Sequence, residues 1–501
     1  MHRLRRCFFV SIAAVHLAAA ATAQTSPGEP PRVPDSPPAG PAPSGQPPTD
    51  APARIEPGPA DRPPPRSVPL LPNATSSPEQ RIEDLERRLR QLEEKHSDEK
   101  HVDAHDIAPD AKAGDKGGVK GSSGVALAYG PDGVGVVSAD GKFQFRLRPI
   151  VQADARFFLE EGTSTFLMRR VRPAMEGTAF EFFDWRLMPE LAGTPNIQDA
   201  YVNIRLFKEI QLRGGKFKPP VGLERLMGDP DLPFLERGLP TNLVPDRDVG
   251  VQLHGDILGG TLVYAGGVFN GVGDGVNGDN DNSDKKDVVG RIMLRPFQPT
   301  FLEPLRKLGL GIAATRGTHV GALPPYRTPV GTTFFQYADG VNAGGTHRRL
   351  SPQASFYLGP FGIFGEYTRS TQIVVAPAIS TRLNHEAWQV VASFFVTGEE
   401  AAATTVTPKR PLSPRTFGTG AVELVARYGE LRVDDDAFRT RAADPTKSAR
   451  KATDWGVGAN WHMARNFKLM IDYEHTSFSG GSATGDRRTE ILILTRLQAA
   501  Y

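Results

Sequence analysis

The chain has 501 residues, of which 39% are hydrophobic, 52 are glycine and 44 are proline; 59 Lys and Arg nearly balance 57 Asp and Glu for a formal net charge of +2. That Gly and Pro load fits a turn-rich chain with a low-complexity stretch better than a water-soluble multidomain protein, and the even charge lacks the basic excess of a nucleic-acid binder. The single cysteine is Cys7, in a segment expected to be removed, which excludes disulfides, thiolate metal sites and cysteine nucleophiles together.

Residues 1–23 have the form of a secretory signal peptide. Arg3, Arg5 and Arg6 precede the apolar stretch from Cys7 to Ala21, and Ala21-Thr22-Ala23 supplies the small-residue cleavage pattern before Gln24. The stretch is too short for a spanning helix, and no later run of the sequence is long and apolar enough for one. Residues 24–76 are proline-rich and predict an extended linker without a core. A helix is expected over 77–97. Ser77 can cap it, Pro78 suits its first position and Gln80 completes a capping box, while Ile82, Leu85, Leu89 and Leu92 fall on one seam. Two heptads fit either a short coiled coil or an isolated amphipathic helix. Residues 98–124 are a second, polar linker. His101 and His105 there stand near Asp98, Asp103 and Asp106, a metal-like spacing that a solvated linker accounts for as well.

From residue 125 to the end the pattern has period two. Phe143, Phe145, Leu147, Val151, Ala153, Ala155 and Phe157 share one face, and Gln144, Arg146, Arg148, Gln152, Asp154 and Arg156 share the other. Ala200, Val202, Ile204 and Leu206 repeat the pattern, as do Ile491, Ile493, Leu497, Ala499 and Tyr501. Aromatic groups near strand ends, among them Phe182, Phe183 and Trp185, Phe334, Phe335 and Tyr337, and Trp455 and Trp461, suit a membrane–water boundary. An exported chain with long alternating strands, apolar on one face and charged on the other, predicts an all-β fold: a transmembrane antiparallel β-barrel over 125–501. At the usual length of strand plus turn it would have about 16 strands and an aqueous lumen.

No motif argues for catalysis, and the reading is of a protein that is not an enzyme and needs no cofactor. Gly273, Gly275 and Gly278 match a dinucleotide fingerprint in acidic surroundings that would repel a pyrophosphate. Asp279, Asp281 and Asp284 lack the glycine and glutamate of a calcium loop, so the 273–287 segment reads as a solvated loop. Asn384-His385-Glu386 begins like a zinc-protease motif, but Gln389 replaces the second histidine. The basic residues say more. Between 142 and 225 there are 14 Lys and Arg against 10 acids, many on the polar side of alternating strands, including Arg146, Arg148, Arg170, Arg172, Arg205, Lys216 and Lys218. They fit an anion path, or a basic wall balanced by acids elsewhere in the lumen.

Phe145-Arg146-Leu147, Arg169-Arg170, Glu176-Gly177-Thr178, Asp184-Trp185 and Asp199-Ala200-Tyr201 resemble the phosphate-selective porin O and P family. So do GGKFKPPVGLERL with Gly222-Leu223-Glu224-Arg225, and FLERGLPTNLVP with Leu235-Glu236-Arg237. GAVELVARYGELRVDDD and GANWHMARNFKLMIDYEHT extend the likeness toward the end of the chain. The resemblance implies a trimeric outer-membrane channel of about 16 strands, narrowed by an inward third loop, that passes anions such as phosphate. It places Arg169 and Arg170 at the constriction, Arg225 where the family has its central lysine, and Arg237 as the loop arginine. Arg172 and Lys218 join this anion-binding set, and Glu224 and Glu236 are read as acids that orient the arginines. The sequence also departs from the family. Lys218 stands in place of a tyrosine and Gln198 in place of an aspartate, and Asp229 and Asp231 follow Arg225 where serines are expected. Two added acids would repel phosphate, which favours general anion passage over strict phosphate selectivity. The alternative reading is a non-specific porin whose N-terminal arm, in the periplasm, also tethers the envelope through cell-wall contact.

Overall fold

Alternating side chains become strands, most of them ten residues or longer and so able to cross a bilayer. The computed structural model describes residues 125–160, 162–279 and 284–501. The expected signal peptide, proline-rich linker, helix and polar linker lie outside them. A hairpin of β1 (Val125–Gly130) and β2 (Gly133–Ser138) comes first. The wall begins with β3 (Phe143–Phe158), β4 (Thr165–Ala179), β5 (Phe183–Glu190) and β6 (Asn196–Arg205). It continues through β7 (Gln211–Phe217), β8 (Asp248–Ile257), β9 (Leu262–Phe269), β10 (Asp287–Leu294) and β11 (Gly309–Ala322). Within the next loop, β12 (Tyr326–Arg327) and β13 (Thr333–Phe335) pair only with each other. Then come β14 (Asn342–Leu358), β15 (Phe361–Ala376), β16 (Ile379–Phe395), β17 (Ala421–Arg432), β18 (Ala449–Ala464) and β19 (Phe467–Ser482). The short β20 (Gly485–Asp486) folds onto the end of β19, and β21 (Glu490–Ala500) is last.

Sixteen of these strands form one ring. Each wall strand pairs antiparallel with the next, and β21 returns to β3 from Leu492↔Phe158 to Ala500↔Ile150. Closure leaves the ring without a free edge. With an even number of strands, the start of β3 and the end of β21 lie at the same end. The β1–β2 hairpin occupies the part of β3's edge that β21 does not reach, from Val134↔Leu147 to Val137↔Gln144.

The period-two pattern sorts side chains as expected. Val151, Leu253, Ile292, Ile312, Leu424 and Ile471 are exposed on the outer face, whereas Gln152, Asp154, Arg170, Gln252, Glu366, Arg427 and Arg496 are buried inside. Aromatic pairs mark two levels of the outer face. Phe143–Phe180, Phe361–Phe394 and Phe467–Tyr501 ring the terminal end, and Trp388–Tyr428 and Trp455–Tyr473 lie toward the other. From Phe467 to Tyr473 along β19 is ~20 Å.

Two expectations change. Phe334, Phe335 and Tyr337 are not a boundary band: Phe334 and Phe335 are fully buried inside the barrel, where they pack with Leu239, Leu243, Leu383 and Phe438. The inner face is also not uniformly charged. Val289, Met293, Ala313, Phe364, Val391 and Val425 point inward and cover apolar residues of the inward loop.

Placing a cation at mid-height on the lipid-facing surface tests this inverted arrangement. Ile471→Arg should destabilise the folded barrel in lipid vesicles by about 2–4 kcal/mol. Denaturant unfolding would read it, with Met470→Arg on the inner side following a different course.

Candidate functional site

The connection between β7 and β8, residues 218–247, folds into the barrel. Irregular backbone inside a wall needs a partner for every amide and carbonyl, because the loop's own residues form only short helical turns at Leu223–Leu226, Asp229–Asp231 and Leu239–Leu243. The inner wall supplies those partners. Wall carboxylates accept from the loop's N–H groups: Glu366 from Leu223 at 2.6 Å and Asp472 from Leu235 at 2.7 Å. Wall donors reach its carbonyls. Arg496 bonds Leu235 O at 2.5 Å, Arg427 bonds Glu236 O at 2.7 Å, Asn460 bonds Pro233 O at 2.8 Å and Lys468 bonds Pro230 O and Leu232 O at 3.1 Å. Val221, Leu232, Phe234, Leu235, Leu243 and Val244 are fully buried beneath these bonds. Gly238 admits the closest approach, since a Cβ there would lie 1.9 Å from Gln389 Oε1.

Arg169 and Arg170 both reach this loop although they are adjacent in β4. In a regular strand one of them would face the membrane. The β3–β4 register slips between Gln152↔Arg170 and Ala153↔Met168, making Arg169 the extra residue of a bulge, and both side chains turn inward. Arg169 grips Glu236 with two bonds, Nε to Oε1 at 2.5 Å and Nη2 to Oε2 at 3.0 Å. Arg170 lies 3.3 Å from Asp229 and 3.6 Å from Glu236, and donates to Gln152 at 2.6 Å. Arg172 bonds Glu190 at 2.7 Å and also Asp229. Arg237 bonds Asp229 at 2.6 Å and the carbonyl of Met227 at 2.8 Å. Arg156 and Arg496 complete the group on Glu236 at 3.0 and 3.2 Å, and Arg496 pairs doubly with Asp154.

The linked set contains Arg156, Arg169, Arg170, Arg172, Arg237 and Arg496 against Asp154, Glu190, Asp229 and Glu236. Six cations against four carboxylates leave an excess of two positive charges. Burial alone would raise the carboxyls of Asp229 and Glu236, yet the surrounding guanidiniums outweigh it and hold both well below the usual carboxylate range. Asp229 therefore does not face the lumen as a bare acid. Asp231 is also occupied, accepting from Thr405 N at 2.7 Å and Thr405 Oγ1 at 2.6 Å in the long turn between β16 and β17.

Arg225 and Lys218 stand apart from that set. Arg225 bonds Asp246 at 3.0 Å and Thr241 O at 2.7 Å, and Asp246 is shared with Arg247 at 2.8 Å. Lys218 donates to Met227 O at 2.7 Å. Burial first, and the nearby Arg237 and Arg247 second, push its ammonium well below the usual lysine range. Glu224 does not touch the Arg225 guanidinium: its carboxylate accepts from Gly238 N at 2.8 Å and Gln389 Nε2 at 2.9 Å. Of the arginines around Glu236 and Asp229, Arg169 is the most open, with its side chain 33% exposed.

Arg496, Arg427, Glu366 and Asp472 were not singled out in the sequence. Their one signal is inward parity on an alternating strand; their partners in the loop lie between 142 and 261 positions away. The motif fragments resolve as bracing. His385 bonds Tyr337 Oη at 2.8 Å, Gln389 bonds Glu224 and Glu366, and Asp279 pairs with Lys216.

The model of the family described as phosphate-selective porin O and P matches residues 142–501. No curated protein matches the chain. Among solved structures, the outer-membrane channel DcaP of Acinetobacter baumannii is 11% identical, with a TM-score of 0.48 over 72% of this chain and 97% of its own. An anion-selective porin from Comamonas acidovorans is 12% identical, with a TM-score of 0.46 over 72% and 100%. The trimer form of OmpT from Vibrio cholerae is 10% identical, with a TM-score of 0.44 over 72% and 99%.

Glu236 is the loop acid on which four wall arginines, Arg156, Arg169, Arg170 and Arg496, converge. Removing its charge with Glu236→Gln should cost about 3 kcal/mol or more, because buried guanidiniums lose their partner. Its pKa is depressed in the folded state, so its contribution is complete above the ordinary carboxylate range and is lost as the pH falls toward the depressed value. Wild-type barrels should therefore lose thermal stability between pH 7 and pH 3. The same pH change should lower the Tm of Glu236→Gln by less.

Proposed function

The chain belongs to the phosphate-selective porin O and P family, and from that premise we propose that anions cross its lumen along the arginines that fasten the inward loop. The protein is an outer-membrane porin, a passive channel for anions such as phosphate and not an enzyme. The observation that carries the proposal is the excess of arginine over carboxylate around Asp229 and Glu236. Arg169 is the first contact for a passing anion, since its guanidinium is doubly bonded yet partly solvated. Arg170, Arg172 and Arg237 act through their field and hold Asp229 and Glu236 in place. Arg225 contributes a second cation across the loop beside Arg247, and Lys218 a weaker one. A guanidinium keeps its charge on burial and offers forked donors that match an oxyanion. In a narrow, partly dehydrated passage that attraction exceeds its value in bulk water.

The two barrel ends at Phe143 and Tyr501 face the periplasm in this reading, and the loop end carrying residues 218–247 faces outward. That sidedness rests on the even strand number, which puts both barrel ends on one side, and on the longest connection, residues 218–247, lying at the other, as the longer loops of such barrels are extracellular. The arm, residues 24–124, then lies in the periplasm. A homotrimer is the assembly the family resemblance implies. The seam of Ile82, Leu85, Leu89 and Leu92 would add a short bundle favoured by the high effective concentration that assembled barrels impose. Contact of the arm with the cell wall is a compatible second role.

Arg169→Gln keeps a hydrogen-bonding side chain but removes the charge. In planar bilayers under asymmetric chloride or phosphate, its reversal potential should show anion preference reduced several-fold, with a smaller reduction for Arg225→Gln. Unchanged selectivity in folded Arg169→Gln channels would reassign Arg169 to bracing alone. Mass measurement in mild detergent should give three chains, and deletion of 77–97 should weaken the trimer without abolishing it; a monomer at every concentration would refute the assembly.

A further inference from the structure

The outer wall carries charges that ion passage through the lumen does not use. Toward the loop end, the outward face of β11 and β14–β18 changes from apolar to basic. Arg316 of β11 lies directly opposite Arg348 of β14, and Arg369 of β15 opposite Glu386 of β16. Glu386 opposes Arg432 of β17, and Arg432 opposes Lys451 of β18. Arg382 follows on β16, exposed on the same face as Glu386. The row crosses six neighbouring strands, roughly 24 Å at the usual strand spacing.

Its depth is set by the aromatic residues beneath it. Arg369 stands two residues beyond Tyr367, Arg432 four beyond Tyr428, and Lys451 four from Trp455. Those steps amount to ~7–14 Å past the level of the Trp388–Tyr428 and Trp455–Tyr473 pairs. Tyr and Trp settle at the membrane–water boundary, so the row lies at headgroup height.

The row is not neutralised by its own protein. Arg369 pairs with Glu386 at 3.5 Å, and Glu430 takes Arg432 at 3.0 Å and Lys451 at 3.4 Å. Six cations thus meet two acids. Among the described residues, Arg316, Arg348 and Arg382 have no carboxylate within ion-pair distance. Like charges directly opposite on neighbouring strands, as at Arg316 and Arg348, destabilise a sheet unless an anion lies between them.

We propose that this row binds the phosphorylated head of a glycolipid in the outer leaflet. The acyl chains would lie against Leu310, Ile312, Leu350 and Val390 below, while the phosphates bridge guanidiniums on adjacent strands. The choice of leaflet rests on the sidedness given above; the choice of a phosphate-bearing lipid rests on the row itself.

The test reconstitutes the full-length protein in phosphatidylcholine vesicles containing bisphosphorylated lipid A, or the same lipid A stripped of its phosphates. After exchange into detergent, lipid A retained per barrel is measured by mass spectrometry. Wild-type protein should retain the phosphorylated form about tenfold better. The variant Arg316→Ser/Arg348→Ser/Arg432→Ser should fall to the level of the stripped lipid, and millimolar inorganic phosphate should not displace the lipid. Equal retention of both lipids by wild-type protein overturns the proposal without any variant. Undiminished retention by the folded variant, or displacement by free phosphate, overturns it as well. Reversal potential in pure phosphatidylcholine bilayers is read separately and should match between wild type and variant. A wild-type channel without anion preference would sink the transport reading and leave the lipid result standing.

Discussion

Backbone amides and carbonyls that enter a barrel without regular structure have to find partners there, and in this protein residues 218–247 find them on the wall. Glu366 and Asp472 accept from amide N–H groups, while Arg496, Arg427, Asn460 and Lys468 donate to carbonyl oxygens. An unpaired group at this depth would cost more than a typical hydrogen bond gains, so the loop's path is fixed by where the wall can donate and accept. The arrangement of the arginines follows from that path. Asp229 and Glu236 are carried by the loop to the face of β3 and β4, and the cations that meet them become its struts.

Such a loop also needs an apolar floor, which explains why the inner face departs from simple polarity. Leu223, Met227, Leu232 and Phe234 lie on Met293, Phe364, Val391 and Val425, on the side of the barrel away from β3 and β4. On that side the loop is packed down, and on the other it is pinned by ion pairs. Arg427 belongs to both regimes: its guanidinium stacks 4.5 Å from the Phe234 ring while bonding Asp454, Glu474 and the carbonyl of Glu236. A loop held on both of its faces resists displacement into the lumen.

The wall was legible because parity is a local property. The two faces of β3 and of β21 can be read from consecutive residues, and strand length together with chain length gives about sixteen strands. The loop motifs were legible as motifs, with Glu236 and Arg237 at the center of the ion pairs. What remained hidden depends on residues far apart in sequence or on register. Arg496 meets Asp154 across the closing seam of the barrel, 342 positions away. The bulge that turns Arg169 inward beside Arg170 is a matter of pairing, which composition does not reveal. Phe334 and Phe335 look like boundary aromatics in sequence because burial inside the lumen and burial in lipid both select large apolar rings. Glu224 precedes Arg225 as Glu236 precedes Arg237, yet it points to Gly238 and Gln389, since neighbours in an irregular loop need not share a direction.

The departures from the family pattern become intelligible through charge counting. Asp229 adds a negative charge beside the passage, but Arg170, Arg172 and Arg237 all converge on it, so its effect is to order three guanidiniums. Paired charges do not cancel as seen by a passing ion. Each arginine in the set satisfies part of its donor fork on a carboxylate, and two more cations than acids remain to define the potential. Lysine could not serve in the same way: at Lys218 burial and two neighbouring guanidiniums already push the ammonium toward neutrality. Arginine keeps its charge under the desolvation that an inward loop imposes. A loop that is braced by its own ionic groups therefore favours guanidinium at the positions that must remain cationic, and the most solvated of them is Arg169.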